Sequence, residues 1–311
     1  MRRKRKKHRL LSITCFLFSV LLVTTLVTNQ LPQKLINAIS NQELEGGRQK
    51  QTLELLDGLQ SSNATLVQLD NDTPIESKDG DHRVYPASLT KIMTLLVALE
   101  EINDFQATTK IAPYTIEYIQ KMNASVAGFQ AHEEVRVLDL LYGLQLASGA
   151  ECALTISEYV AGTEEHFVDK MNAKAKKLQL ENTHFTNCTG LDDPNQYTSA
   201  NDIAKLLRYA LNNQDFRFIF TSYVYQSTPS DAHPKGILIS STLSQKLQDM
   251  QIGNETILGG KTGTTDNAGL CLASLLRVKN QEYVLVTLGA PYTNDDTYGN
   301  VMDAISVVNR L

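Results

Sequence analysis

Cysteine is scarce in this chain of 311 residues, and the spacing of what there is pairs with nothing. The four are Cys15, Cys152, Cys188 and Cys271. None stands in C-x-x-C, so neither a zinc site nor a redox dithiol is suggested. Cys15 falls in an apolar run, and the other three read as buried structural thiols, with a single bridge among them left open. The six histidines (His8, His82, His132, His166, His184 and His233) show no ligand spacing, which argues against metal-dependent chemistry. No metal and no cofactor are expected. Repeats and low-complexity tracts are also missing. With 42% hydrophobic residues, the length suits one substantial domain or two closely packed subdomains.

Positive charge is short everywhere but at the start. Seven of the 29 basic residues are Arg2, Arg3, Lys4, Arg5, Lys6, Lys7 and Arg9, leaving 22 basic against 34 acidic in the rest. An acidic body argues against nucleic acid as a partner.

The basic segment 1–9 runs into "LLSITCFLFSVLLVTTLVT", residues 10–28, nineteen residues without a charge. That length just spans a bilayer as a helix. The positive cluster should stay cytoplasmic, so the remainder faces outward. A cleaved signal peptide would have a shorter apolar core and a small-x-small site, and "VTNQLPQKL" offers no good one. The expectation is an uncleaved transmembrane signal-anchor over 10–28, a polar stalk over 29–61, and an extracytoplasmic body over 62–311.

In the body, "ATLVQLD" and "PIESKD" around "NDTP" predict a hairpin. The middle reads as helices: "VRVLDLLYGLQLAS", "ECALTISEYVAG", "EEHFVDKMNAKAKKLQL" with Phe167, Val168, Met171 and Leu178 on one side, and "TSANDIAKLLRYALNN" with Ser199 and Asp202 at capping-box spacing. From Ile237 the texture is β, through "TILGGKTGTT", "GLCLASLLRV" and "EYVLVTLGAPY". A last helix, "TYGNVMDAISVVNRL", places Val301, Ile305 and Val308 on one face. The β pieces at both ends predict an α+β fold, an antiparallel sheet flanked by helices with a mainly helical subdomain inserted.

"RVYPASLTKIMTLLVALEE" (83–101) poses the functional question. Ser88 reads equally as a helix N-cap, and Lys91 as a first-turn lysine. The same spacing, three apart on one face, also brings an amine within reach of a hydroxyl. A neutral Lys91 would take the Ser88 proton if its pKa fell well below about 10, through burial and a second nearby cation. "GGKTGTT" supplies that cation in Lys261. Gly263 would let a peptide lie against an edge strand there, and the Thr262 and Thr264 hydroxyls would bind a carboxylate. Ser148, in "LASGAE" at a break between helices, would pass a proton between Lys91, Lys261 and a leaving amine.

S-x-x-K, then S-G-x, then K-T-G resembles the serine penicillin-recognising enzymes. "YPASLTKIMT", "LLYGLQLASGAECA", "NTHFTNCTGLDDPNQYTSANDIAKLLRYAL" and "GGKTGTTDNAGLCLAS" resemble the low-molecular-weight D-alanyl-D-alanine carboxypeptidases over about residues 62–292. The resemblance implies a serine β-lactamase/DD-peptidase-like fold. It implies that Ser88 attacks the bond between the last two D-alanines of a peptidoglycan stem pentapeptide, with Lys91 as base. The backbone N–H groups of Ser88 and Thr264 would form the oxyanion hole, and β-lactams would be covalent inhibitors at Ser88.

Two features depart from the family. Where it usually has S-x-N, this chain has Ala150, so the lost amide would need replacing by a neighbour such as Glu151, or by water. The chain also stops soon after the penicillin-binding region, leaving the N-terminal segment as the expected membrane contact. A β-lactamase would need E-x-x-x-N, which "NCTGLDDPNQY" with Asp192 and Asp193 lacks. A transpeptidase and a catalytically weak stem-peptide-binding protein stay open.

Overall fold

The computed structural model describes residues 54–71, 74–253, 256–293 and 297–311. The basic segment expected at 1–9, the anchor at 10–28 and most of the stalk lie outside them. Among the described residues no helix is long and apolar enough to cross a membrane.

The body begins earlier than the sequence suggests. Leu55, Leu56 and Leu59, assigned to the stalk, are buried in a cluster with Val301, Ala304 and Val307. The backbone N–H groups of Leu55 and Leu56 donate to the Glu76 carboxylate at 2.7 and 3.0 Å. Their partner is a helix some 250 residues further along the chain, so nothing local could reveal it.

In chain order the elements are β1 (Asn63–Gln68), β2 (Pro74–Lys78), α1 (Thr90–Glu101), β3 (Thr108–Lys110), α2 (Pro113–Lys121), β4 (Glu134–Arg136), α3 (Val137–Leu146), α4 (Ala150–Ala161), α5 (Glu164–Lys177), α6 (Ala200–Ala210), α7 (Gln214–Phe220), β5 (Val224–Gln226), β6 (Leu238–Ser240), α8 (Thr242–Asp249), β7 (Ile257–Thr265), β8 (Gly269–Val278), β9 (Gln281–Ala290) and α9 (Gly299–Arg310). One five-stranded antiparallel sheet, ordered β2-β1-β9-β8-β7, is closed from both ends of the body, with Asn63 opposite Leu288 and Thr65 opposite Val286. The helical middle sits between, as expected.

Strand alternation sorts the side chains between two cores. Cys271, Ala273 and Leu275 of β8 and Val284, Val286 and Leu288 of β9 join the core under the helical middle. Leu272, Leu276 and Leu285 point the other way, against Leu243 and Leu247 of α8 and the face of α9. Both sides are covered, which is why these strands read as nearly unbroken apolar runs. The inserted helices share one continuous core with the sheet, so residues 54–311 form one unit.

Two local expectations are corrected. The stretch after Ile237 is not all β: Thr242–Asp249 is helical, with the Ser241 hydroxyl accepting from the Ser244 N–H at 3.3 Å and Leu243 and Leu247 buried one turn apart. In α9 the buried line is Val301, Ala304 and Val307, while Ile305 and Val308 are half-buried at its flank. The small Ala304 carries the contact, and a search for large residues passes over it. The capping box at α6 is half made: the Asp202 N–H donates to the Ser199 hydroxyl at 3.2 Å, but the Asp202 carboxylate turns to Asn182 N and Thr183 Oγ1.

Candidate active site

Ser88 is not a helix cap. It sits in a single 3-10 turn, Ala87–Leu89, and α1 starts after it with Leu89 as cap and no side-chain capping bond. Ala87 holds a φ of 46°. A left-handed alanine costs on the order of 1–3 kcal/mol and persists only where the surroundings enforce it. Two glycines do so. A Cβ on Gly190 would lie 1.9 Å from the Ala87 carbonyl oxygen and 2.9 Å from Ser88 N. A Cβ on Gly263 would lie 3.0 Å from the Ala87 Cβ and 3.1 Å from Ser88 N. The missing side chain at 263 therefore makes room for the serine turn. β7 is an edge strand of the sheet, as expected.

Lys91 is buried, and its Nζ lies 3.1 Å from Ser88 Oγ and donates to the Thr189 carbonyl at 2.5 Å. Burial lowers its pKa from the usual 10.5 to about 8, against the opposite pull of Cys188, Glu151 and Cys152. The Thr189 carbonyl comes from the loop "NCTGLDDPNQY". Asn187 organises it: Oδ1 accepts from Thr189 N, Thr189 Oγ1 and Gly190 N at 3.1, 3.0 and 2.7 Å. One side chain thus sets both Lys91's second partner and the glycine behind Ser88.

Lys261 is fully buried and donates to the Thr262 carbonyl at 2.9 Å. Burial first, and the charge of Lys91 second, hold its pKa well below the ordinary value. Burial is what lowers the Lys91 pKa, and Lys261 is not among the causes there, so the second cation expected from Lys261 is not what frees the Lys91 amine of its proton. Ser148 is buried between α3 and α4 with a φ of 60°, and its hydroxyl has no hydrogen-bond partner among the described residues. The expected proton path through it is thus not drawn by direct hydrogen bonds to Lys91 or Lys261. The Thr262 hydroxyl shares a hydrogen bond with Thr242 Oγ1 at 2.7 Å. Thr264 is exposed.

Ser88, Lys91, Ala150, Thr189 and Thr264 line one cavity of about 520 Å³, together with Met122 to Ser125, Asp192, Thr265 to Asn267 and Tyr292. A slightly larger cavity, about 570 Å³, beside Thr65 and Asp202 holds none of the candidate residues, so chemistry rather than size singles out the smaller one. Asp192 bridges its mouth by accepting from Thr265 Oγ1 at 2.8 Å and Asn267 Nδ2 at 2.9 Å.

At Ala150 the loop after α2 comes close. Ala150 N donates to the Ser125 carbonyl at 2.8 Å. Glu151 does not replace the missing amide: its Oε1 accepts from Ala127 N and Gly128 N at 2.6 and 2.9 Å, holding the loop above. It lies outside the cavity lining, and burial pushes its pKa up. Cys152, Cys188 and Cys271 are buried free thiols.

A family model described as D-alanyl-D-alanine carboxypeptidase matches residues 49–292. The chain is similar to D-alanyl-D-alanine carboxypeptidase DacF of Bacillus subtilis, 31% identical over 244 residues, covering 78% of this chain and 60% of the relative. It is similar to DacC of Escherichia coli, 30% identical over 221 residues, covering 68% and 52%. It thus spans between half and three fifths of these relatives' length. Among solved structures, a mutant of the Streptomyces K15 DD-transpeptidase superposes with a TM-score of 0.74 at 25% identity, covering 81% of this chain and 97% of that one. A D-alanyl-D-alanine carboxypeptidase from Mycobacterium tuberculosis gives 0.69 at 25% identity, covering 82% and 92%.

Proposed function

This chain belongs to the D-alanyl-D-alanine carboxypeptidase family, and on that premise we propose that it removes the terminal D-alanine from peptidoglycan stem pentapeptides. The observation that carries the reading is the buried Lys91 amine 3.1 Å from Ser88 Oγ, with its pKa lowered to about 8. At neutral pH about one molecule in ten then carries the neutral amine that a base requires.

Ser88 Oγ attacks the carbonyl between the two D-alanines while Lys91 takes the hydroxyl proton. The backbone N–H groups of Ser88 and Thr264 receive the developing oxyanion. The C–N bond breaks, the proton passes to the leaving amine, and D-alanine departs. Water then hydrolyses the ester on Ser88. Ser148, buried and without a hydrogen-bond partner among the described residues, offers a hydroxyl to this proton traffic once substrate is bound. Lys261, Thr262, Gly263 and Thr264 form the substrate-binding strand, with Thr262 and Gly263 acting through the positions they fix. β-Lactams enter the same way and remain as covalent inhibitors. Residues 10–28 hold the chain in a bacterial cytoplasmic membrane with the body outside, where it trims the cell wall.

The test is mass spectrometry after incubation with benzylpenicillin, together with D-alanine release from a pentapeptide. The adduct is expected on Ser88, and Ser88→Ala should lose both adduct and release. An adduct elsewhere, or release retained in Ser88→Ala, overturns the reading. A second reading, a stem-peptide binder with little turnover, rests on Ala150, and catalytic D-alanine release decides against it. Free D-alanine without cross-linked product from pentapeptide alone separates the carboxypeptidase from a transpeptidase.

A further inference from the structure

The proposed reaction leaves one place in the cavity without the group its chemistry calls for. A bound stem peptide brings amide N–H and C=O groups into a site that excludes part of its water, and each needs a partner there. At Ala150 the cavity wall offers a methyl group. The polar contact then comes from a neighbouring side chain or from water.

The neighbour is the loop that follows α2. It is gripped at successive points: Ala150 N on the Ser125 carbonyl, and Glu151 Oε1 on Ala127 N and Gly128 N. It also approaches so near that a Cβ on Gly149 would lie 3.0 Å from Ala127 N. Its stretch Met122 to Ser125 lines the cavity that holds Ser88 and Lys91. Within that stretch Asn123 carries the carboxamide. The side chain is exposed, and it makes no hydrogen bond among the described residues.

Asn123 has an ordinary structural reason to be asparagine. It follows the last residue of the α2 cap with a φ of 49°. Its N–H donates to the Gln120 carbonyl and that of Ala124 to the Ile119 carbonyl, a left-handed helix ending that favours glycine or asparagine. That ending uses the backbone and leaves the carboxamide, one donor group and one acceptor, without a partner among the described residues, on a residue that lines the cavity.

We propose that the Asn123 carboxamide hydrogen-bonds the peptide backbone of the bound stem peptide, taking the part that the side chain at 150 cannot play. The inference rests on the carboxypeptidase reading. It makes Asn123 a substrate-binding residue supplied by the loop above the S-G-x motif.

The helix ending dictates the variant that tests it. Asn123→Gly keeps the left-handed backbone and removes the carboxamide, so a purely structural role predicts unchanged kinetics. We expect kcat/KM for D-alanine release from the pentapeptide to fall about tenfold to a hundredfold, as for loss of a hydrogen bond to substrate, with the melting temperature kept. The double variant Asn123→Gly/Ala150→Asn should recover most of the loss. Kinetics of Asn123→Gly within twofold of the parent, or a double variant no better than the single one, overturn the proposal. If the parent releases no D-alanine, the carboxypeptidase reading fails by itself. Asn123 is then judged by the rate at which benzylpenicillin acylates Ser88: a slower rate in Asn123→Gly, restored in the double variant, sustains its ligand contact, and an equal rate or no acylation in any chain removes it.

Discussion

Gly190 presses its bare Cα against Ala87, so that any side chain at 190 would begin 1.9 Å from the Ala87 carbonyl oxygen. Gly190 has a φ of 86°, itself in the glycine region. Gly190→Ala is therefore expected to combine backbone strain with a clash at the serine turn. The loss should be at least about 2 kcal/mol of stability, with penicillin labelling of Ser88 nearly abolished. Denaturant titration and labelling at low temperature check the two effects. Full labelling of a stable Gly190→Ala protein would mean that the turn is free to move.

Lys91 should make stability depend on pH in an unusual direction. Its folded pKa of about 8 lies below its usual 10.5. Between those values the unfolded chain holds a proton that the folded protein has released, so stability rises with pH through this window. The contribution is complete above about 10.5 and is lost as the pH falls toward 8. The shift corresponds to about 3 kcal/mol. Lys91→Met should abolish acylation, reduce this rise to the part that the buried Lys261 contributes, and give a higher melting temperature at pH 7, because a buried ammonium is removed. A lower melting temperature at every pH would show that the bonds to Ser88 and Thr189 outweigh the burial cost.

The same lowered pKa sets the rate profile. Acylation by benzylpenicillin should rise about tenfold per pH unit below pH 8 and level off above it, as Lys91 loses its proton. Stopped-flow or quenched labelling between pH 6 and 9 measures it. A rate independent of pH over that range would remove Lys91 from the role of base.

Asp192 closes the mouth of the cavity through Thr265 and Asn267. Asp192→Ala frees the loop from the end of β7. KM for the pentapeptide is expected to rise about fivefold to tenfold, for loss of hydrogen bonds made partly in solvent, with kcat changed less. A fall in kcat at constant KM would place Asp192 in the chemistry instead.

Away from the cavity, the buried Asp139 accepts from Arg136 Nη2 at 2.9 Å, Tyr225 OH at 2.6 Å and Thr228 N at 3.1 Å. It ties α3 to the β5–β6 hairpin. Asp139→Ala strips these donors of their shared acceptor and should cost about 3 kcal/mol, the lower end for a broken buried pair because Arg136 keeps some solvent contact. Thermal unfolding checks it, and any penicillin labelling below the melting point should be unaffected.

Some of this was plain in the residue order and some was not, for physical reasons. Two short strand-like stretches with a turn between them announced the β1–β2 hairpin, and the S-x-x-K spacing announced the contact of Ser88 with Lys91. Both are local, and local geometry follows from local sequence. Helix α8 was hidden because its two buried leucines follow a strand and precede another, so the β texture on either side swamped one short helical turn pattern. The Thr189 carbonyl and the constraint on Gly263 were invisible because one is main chain and the other is the absence of an atom. The end of the expected stalk was misread because its leucines are satisfied only by α9. Ala150 was recognised as a departure, but what stands next to it depends on how a distant loop is pinned.

The pairing of β1 with β9 has a consequence for how the protein is made. The first full strand has no long neighbour until the chain has been synthesised almost to its end, and loop closure over more than 200 residues is slow. A nascent polypeptide cut short before β9 would carry Ser88 and Lys91 with no completed sheet to seat them. The serine turn, lodged against β7, would then be among the last parts of the molecule to acquire its shape.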